Sequence, residues 1–153
     1  MISVVDIFAG PGGLGEGFSS FVRASGEAVF RLALSIEKDP HAHETLRLRA
    51  FWRQFQRSEL PNIYWDYVRG AVDWDSLKRA CPAAAVAAEQ EALQLTLSPD
   101  PRTVAKVRSL IDERLPPDDP WVLVGGPPCQ AYSIIGRARN KGNIDYDAET
   151  DHR

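Results

Sequence analysis

Only two cysteines and one methionine occur in the 153 residues. Cys81 and Cys129 lie far apart in unlike surroundings, which excludes the disulfide framework of a small secreted domain and fits a reducing, cytoplasmic compartment. Positive charge is not in excess. Eighteen lysines and arginines face 21 acids, a formal net charge of -3. The chain is therefore not a generally basic nucleic-acid binder, and contact with DNA must rest on local clusters of positive charge. No apolar run approaches the roughly 18 residues needed to span a bilayer. Met1 leads straight into a strand-like segment with no basic region before it, so no membrane association or export is expected. Among three histidines, His41 and His43 stand two apart in a predicted helix and point to different sides of it, unlike an i, i+4 metal pair. No metal is expected.

What is present suits one globular domain, with 44% hydrophobic and 25% charged residues. Residues 3–8 read as a short buried strand. Gly10, Gly12, Gly13, Gly15 and Gly17 follow at once, before Phe18, Phe21 and Val22 at helical spacing. Glycines at such a strand-to-helix junction let the backbone approach a ligand, and the free amides of the new helix favour an anionic or carboxylate-bearing group. Gly10, Gly12 and Gly15 match the Gly-x-Gly-x-x-Gly dinucleotide fingerprint, a weak signal that makes a nicotinamide cofactor a competing reading. A second strand over residues 29–36 ends in Glu37, where a carboxylate accepts hydrogen bonds from ribose hydroxyls in doubly wound folds. Asp39 as N-cap and Pro40 at the first helical position open a helix through Ala42, Leu46 and Leu48.

Near the other end, Trp121-Val122-Leu123-Val124 predicts a strand buried on both faces in a complete sheet, and an exposed, sticky edge where its far-side neighbours are missing. It runs into Gly125-Gly126-Pro127-Pro128-Cys129-Gln130-Ala131-Tyr132-Ser133. The two prolines restrict the backbone, so Cys129 leaves the strand in a fixed direction, as a nucleophile would. A cysteine thiol with a pKa near the usual value of about 8.5 is mostly protonated at neutral pH, so nearby cations or a helix dipole must assist it. Arg137, Arg139 and Lys141 alternate beyond it in a Gly- and Asn-containing loop, residues 136–143, able to set cations on phosphates.

The middle, residues 50–120, is harder to follow. Phe51, Trp52, Phe55, Tyr64, Trp65, Tyr67 and Trp74 suggest a helical, aromatic-rich insertion with its own small core. One helix is predicted from Pro82 through Leu93 and Leu95, and another is marked by Val104, Val107, Leu110, Ile111 and Leu115. A sharper alternative is that exposed aromatics, with Arg53, Arg57 and Arg69, touch DNA or a partner. Cys81 reads as an incidental thiol.

Two strings carry a resemblance. Asp6-Ile7-Phe8-Ala9-Gly10-Pro11-Gly12-Gly13-Leu14 resembles the Asp-x-Phe-x-Gly-x-Gly-Gly cofactor motif of the DNA cytosine-5 methyltransferases, and Gly-Gly-Pro-Pro-Cys-Gln-x-x-Ser, residues 125–133, resembles their catalytic loop. The resemblance implies a doubly wound, Rossmann-like α/β fold that uses S-adenosylmethionine, with double-stranded DNA as substrate and a restriction-modification setting. It makes Cys129 the nucleophile that adds to C6 of a flipped cytosine. It assigns Asp6, Phe8, Ala9, Gly10, Gly12, Gly13, Leu14, Glu37, Lys38 and Pro127 to the cofactor. Phe8 would contact the adenosyl part, the backbone around Gly10, Gly12 and Leu14 would enclose the methionine end, and Lys38 would lie near the adenine edge. Gln130 and Ser133 would assist loop and DNA contacts, with Arg137, Arg139 and Lys141 on the DNA. The family's third strand brings an acid to adenine, for which Asp66, Asp73 and Asp112 are all candidates. No Glu-Asn-Val or Gln-x-Arg-x-Arg segment occurs, so the expectation is the N-terminal half of a catalytic domain, a fragment or split subunit completed by a second polypeptide, or a cofactor-binding remnant without catalysis.

Overall fold

The computed structural model describes residues 1–55 and 59–127. In chain order these form β1 (Ile2–Ile7), α1 (Gly13–Ser19), β2 (Phe30–Glu37), α2 (Pro40–Trp52), α3 (Asn62–Val68), α4 (Trp74–Ala80), α5 (Pro82–Glu91), β3 (Ala92–Gln94), α6 (Pro101–Arg114) and β4 (Trp121–Gly125). Among the described residues the four strands make one sheet in the order β3-β2-β1-β4, and every pairing is parallel. Parallel neighbours need crossover connections, which α1, the run α2 to α5, and α6 supply. From β1 the chain steps outward through β2 to β3, then returns to the far side of β1. Its direction reverses between β1 and β4.

Alternation along β3 shows how the layers lie, because successive strand residues face opposite sides of a sheet. Ala92 packs with Leu46, Ala50, Phe51, Leu77, Ala85 and Ala88 of α2, α4 and α5. Leu93 faces the other way, with Val5, Leu34 and Ile36 beside Val107, Leu110 and Ile111 of α6. Helices thus cover both faces. Val4 and Val5 are both fully buried, as expected of an inner strand covered on its two sides.

The helix starts follow local chemistry. Asp39 accepts the Ala42 amide at 2.8 Å, Asp73 accepts that of Ser76 at 2.8 Å, and Asp100 accepts that of Thr103 at 3.4 Å. Proline opens α2 and α6 directly after its capping aspartate, where its missing N–H costs nothing.

Three expectations differ from what is seen. The helix begun at Pro82 stops at Glu91, and Ala92–Gln94 forms strand β3, so the expected helical insertion contributes a strand. Helix α1 ends at Ser19, leaving Phe21 and Val22 outside it, with Val22 bridged to Ala28. Strand β4 is not buried on both faces: it pairs with β1, and Trp121 and Leu123 are 44% and 53% exposed among the described residues. Most of the mid-chain aromatics turn inward, as a small core requires and unlike the alternative in which they meet DNA or a partner. Phe51 is fully buried and meets the rings of Phe55, Tyr64 and Trp74, while Trp74 also meets Tyr67. Arg53 is paired with Glu16 and Glu91 and Arg69 with Asp66 at 2.7 Å. Arg57 lies outside the described residues.

Candidate functional site

Where β1 ends, the backbone turns left-handed at alternate positions: Phe8, Gly10 and Gly12 have φ of 57°, 56° and 93°. Glycine takes such values freely, whereas Phe8 does so at a cost of roughly 1–2 kcal/mol. Three hydrogen bonds hold the turn. The Ala9 amide donates to the Ile36 carbonyl at 3.0 Å, the Gly12 amide to the Ala9 carbonyl at 3.0 Å, and the Gly10 amide to Oε2 of Glu37 at 2.8 Å. A Cβ at Gly12 would also sit 2.9 Å from Leu46 Cδ1, so a larger residue would both strain the left-handed backbone and shift that side chain.

Glu37 ends β2. Its second oxygen, Oε1, accepts the amides of Lys38 and Asp39, each at 2.8 Å. A carboxylate offers about four acceptor positions. Three are filled by backbone, which fixes the group and leaves one position for a ligand.

Beside it lies a cavity of about 240 Å³ bounded by the carboxyl ends of all four strands. Phe8 and Gly10 follow β1, Ile36 and Glu37 end β2 and Lys38 follows it, Leu95, Thr96 and Leu97 follow β3, and Gly126 follows β4. The Leu95 amide donates to the Glu37 carbonyl at 3.0 Å and Gln94 Nε2 to the Lys38 carbonyl at 3.4 Å, which holds the β3 end against β2. On the opposite rim a Cβ at Gly125 would collide with the Ile7 carbonyl oxygen. That absence lets β4 close against β1. In open α/β sheets, ligands bind outside the carboxyl ends of the strands, where the strand order reverses.

Beneath the loop, Asp6 is fully buried and neither carboxylate oxygen has a hydrogen-bond partner. Burial raises its pKa to about 6, and the nearby Gly15 amide, though out of hydrogen-bond geometry, lowers it in part. Its register neighbour on β2, Ser35, is likewise buried with an unpartnered hydroxyl. Gly15 allows this close packing, since a Cβ there would lie 2.6 Å from Leu32 Cδ1 and 3.6 Å from Asp6 Oδ2.

Of the residues singled out from sequence, the cavity brings together Phe8, Gly10, Glu37 and Lys38. Asp6 and Ala9 are buried next to it, Gly13 opens α1, and Leu14 is 48% exposed. Pro127 follows Gly126 directly. Cys129, Gln130, Ser133, Arg137, Arg139 and Lys141 lie outside the described residues. The three acids considered for the third strand sit elsewhere: Asp66 on α3, Asp73 capping α4 and Asp112 on α6. Leu95, Thr96 and Leu97 were missed, although the alternation Leu93-Gln94-Leu95-Thr96-Leu97 carries the period of a strand.

A larger hollow, about 670 Å³, lies at the amino end of β2. Arg53, paired with Glu16 and Glu91, lines it. Burial raises the pKa of Glu91, and Arg53 draws it back. Among the described residues no group of three His, Cys, Asp or Glu could hold a metal, and no helix is long and apolar enough to cross a membrane. His43 Nε2 lies 3.1 Å from the Ala92 carbonyl oxygen, a contact that ties α2 to β3.

No family model matches the chain. No solved structure matches it either. It is 28% identical over 162 aligned residues to a protein named Type II methyltransferase M.Bpa9945I, from Bacillus paralicheniformis. The alignment takes in 95% of this chain and 34% of that protein, so the chain spans about a third of the length of the curated relative it matches. That likeness supports a relationship with the methyltransferases, and a parallel α/β sheet with helices on both faces is compatible with one.

Proposed function

We propose that this chain is the N-terminal portion of a DNA cytosine-5 methyltransferase of restriction-modification type, built on a doubly wound, Rossmann-like fold that binds S-adenosylmethionine. The observation that carries the reading is the cavity at the strand ends. It joins Phe8 and Gly10 of one motif to Gly126 of the other, beside a ribose-type carboxylate, in a chain similar to a Type II methyltransferase.

The lining suits the cofactor. Glu37 keeps one acceptor position for a ribose hydroxyl, Phe8, Ile36, Leu95 and Leu97 supply apolar walls, and Gly10 allows close backbone approach. In this assignment Phe8 meets the adenosyl part, the backbone at Gly10, Gly12, Gly13 and Leu14 encloses the methionine end, and Asp6, Ala9 and Pro127 support those contacts. When bound, S-adenosylmethionine supplies the methyl group.

Cys129 follows Gly126, a residue of the cavity lining, by three positions in the sequence. Its thiolate adds to C6 of a cytosine extruded from the stack, which makes C5 nucleophilic. After C5 has been methylated, loss of the C5 proton to a base and expulsion of the thiolate restore the ring and free Cys129. Gln130 and Ser133 support the loop, and Arg137, Arg139 and Lys141 neutralise phosphates of double-stranded DNA. The remainder of the domain comes from further sequence or a second polypeptide, and the reducing cytoplasm keeps Cys129 a thiol.

The test is intact-mass detection of a covalent adduct between the full-length protein and duplex DNA carrying 5-fluorocytosine, with S-adenosylmethionine present. We expect the adduct in the wild type and none in Cys129→Ala. An adduct that survives in Cys129→Ala removes Cys129 as the nucleophile. Cofactor binding with no methyl transfer would instead mark a binding remnant, and binding of NAD in place of S-adenosylmethionine an oxidoreductase.

A further inference from the structure

The larger hollow lies at the opposite end of the sheet from the ligand cavity, where α1 and the ends of α2 and α5 leave a gap over the start of β2. Its charged side chains form one cluster. Arg53 gives one guanidinium nitrogen to Oε1 of Glu16 and another to Oε1 of Glu91, so a single cation holds two carboxylates. Oε2 of each has no donor among the described residues. Along β2, Phe30 meets the Phe18 ring of α1 and Leu32 approaches Gly15, so both point to the hollow's side, and alternation turns Arg31 to the other. Among the described residues the cluster therefore keeps one negative charge in excess. Glu91 registers it: burial and the charge of Glu16 both raise its pKa, and Arg53 offsets them only in part.

A second cation would complete this cluster. A divalent metal ion takes about six oxygen ligands, and among the described residues no group of three His, Cys, Asp or Glu could supply them. The walls point to an organic cation instead. Phe30, Leu32 and Phe55 line the same space, which gives apolar surface for a stem and ring faces for a positive head. Its volume of about 670 Å³ is that of an ordinary small-molecule cleft. A guanidinium suits it better than an ammonium, because its planar fork of five donors reaches two carboxylates at once, as Arg53 already does, and it sheds water more readily. We propose that this hollow is a second ligand site, which takes a small alkylguanidinium with its head between Glu16 and Glu91 and its stem against Phe30, Leu32 and Phe55. The site stands apart from the cofactor reading and does not depend on it.

The experiment titrates the full-length protein with n-butylguanidinium and with n-butylurea, its neutral isostere, in a calorimeter. We expect saturable binding of n-butylguanidinium and binding of n-butylurea weaker by about tenfold or more, since only the charged head makes charge-assisted hydrogen bonds. Glu16→Gln, at the more exposed of the two acids, should weaken n-butylguanidinium by about tenfold, and Glu91→Gln should do the same. Equal affinity for the two probes, no saturable binding up to about 10 mM, or an affinity that neither substitution changes would each overturn the proposal. N-acetyl-L-arginine amide carries the same head on a peptide unit and should bind more weakly than n-butylguanidinium. Tighter binding would assign the hollow to an arginine of a partner protein and overturn the small-ligand assignment.

Discussion

The carboxylate of Glu37 accepts the amide hydrogen of Gly10 at 2.8 Å across 27 residues of sequence. A group suited to a ligand's ribose is at the same time a strut of the glycine turn. With Lys38 and Asp39 also donating to it, Glu37 faces three N–H donors, an arrangement that only an acid satisfies without conflict.

Glu37→Gln tests this. A glutamine brings its own NH₂ donor, so at least one of the three amides must lose its acceptor. We expect a loss of about 1–2 kcal/mol in denaturant unfolding, together with at least a tenfold weaker affinity for S-adenosylmethionine in calorimetry. An unchanged affinity would detach Glu37 from the ligand.

Gly125 and Gly126 should differ sharply. A Cβ at Gly125 collides with the Ile7 carbonyl, while one at Gly126 would meet only the Phe8 carbonyl oxygen, at 3.9 Å. Gly125→Ala is expected to cost about 1–3 kcal/mol, because backbone has to move to admit the methyl group, and Gly126→Ala much less. Equal melting temperatures for the two variants would contradict the close contact between β4 and β1.

Asp6 gives a pH signature. Its folded pKa, about 6, is above the ordinary 3.8, so between these values the native state binds the proton more tightly than the unfolded chain. Stability linked to Asp6 is fully present below about pH 4 and is lost as pH rises through 6, a change of up to about 3 kcal/mol. Unfolding free energies measured from pH 4 to 7 should show this fall in the wild type. The Asp6→Asn difference curve should isolate it, and a flat difference curve would remove Asp6 as its source.

Arg53 bridges Glu16 and Glu91, and the Glu91 side chain is only 10% exposed. Arg53→Met should cost about 3–5 kcal/mol by leaving Glu91 buried without a partner. Because Glu91 can then relieve its burial by taking a proton, the loss should be larger at pH 8 than at pH 5. Adding Glu91→Gln should restore most of the stability in urea unfolding. No restoration would mean that Arg53 acts through packing and not through charge.

Much of this arrangement is legible in sequence because it is local. The glycine turn, the Asp39-Pro40 helix start and the apolar periods of β1, β2 and α6 are written in neighbouring residues. What escaped has a non-local cause. Ala92–Gln94 directly follows an alanine-rich helix whose propensity is high, and it is pairing with β2 that makes it a strand. The Glu37–Gly10 bond joins two recognisable motifs, but nothing in either one indicates that they touch.

Phe8 holds a left-handed φ of 57° in a position where glycine or asparagine would rest more easily. A library of variants screened for thermal stability alone would drift toward those residues at position 8 and strip an aromatic wall from the cavity in doing so. Screening the same library for ligand retention would pull the other way, and the distance between the two winners would report how much stability this chain gives up to keep a ring at that corner.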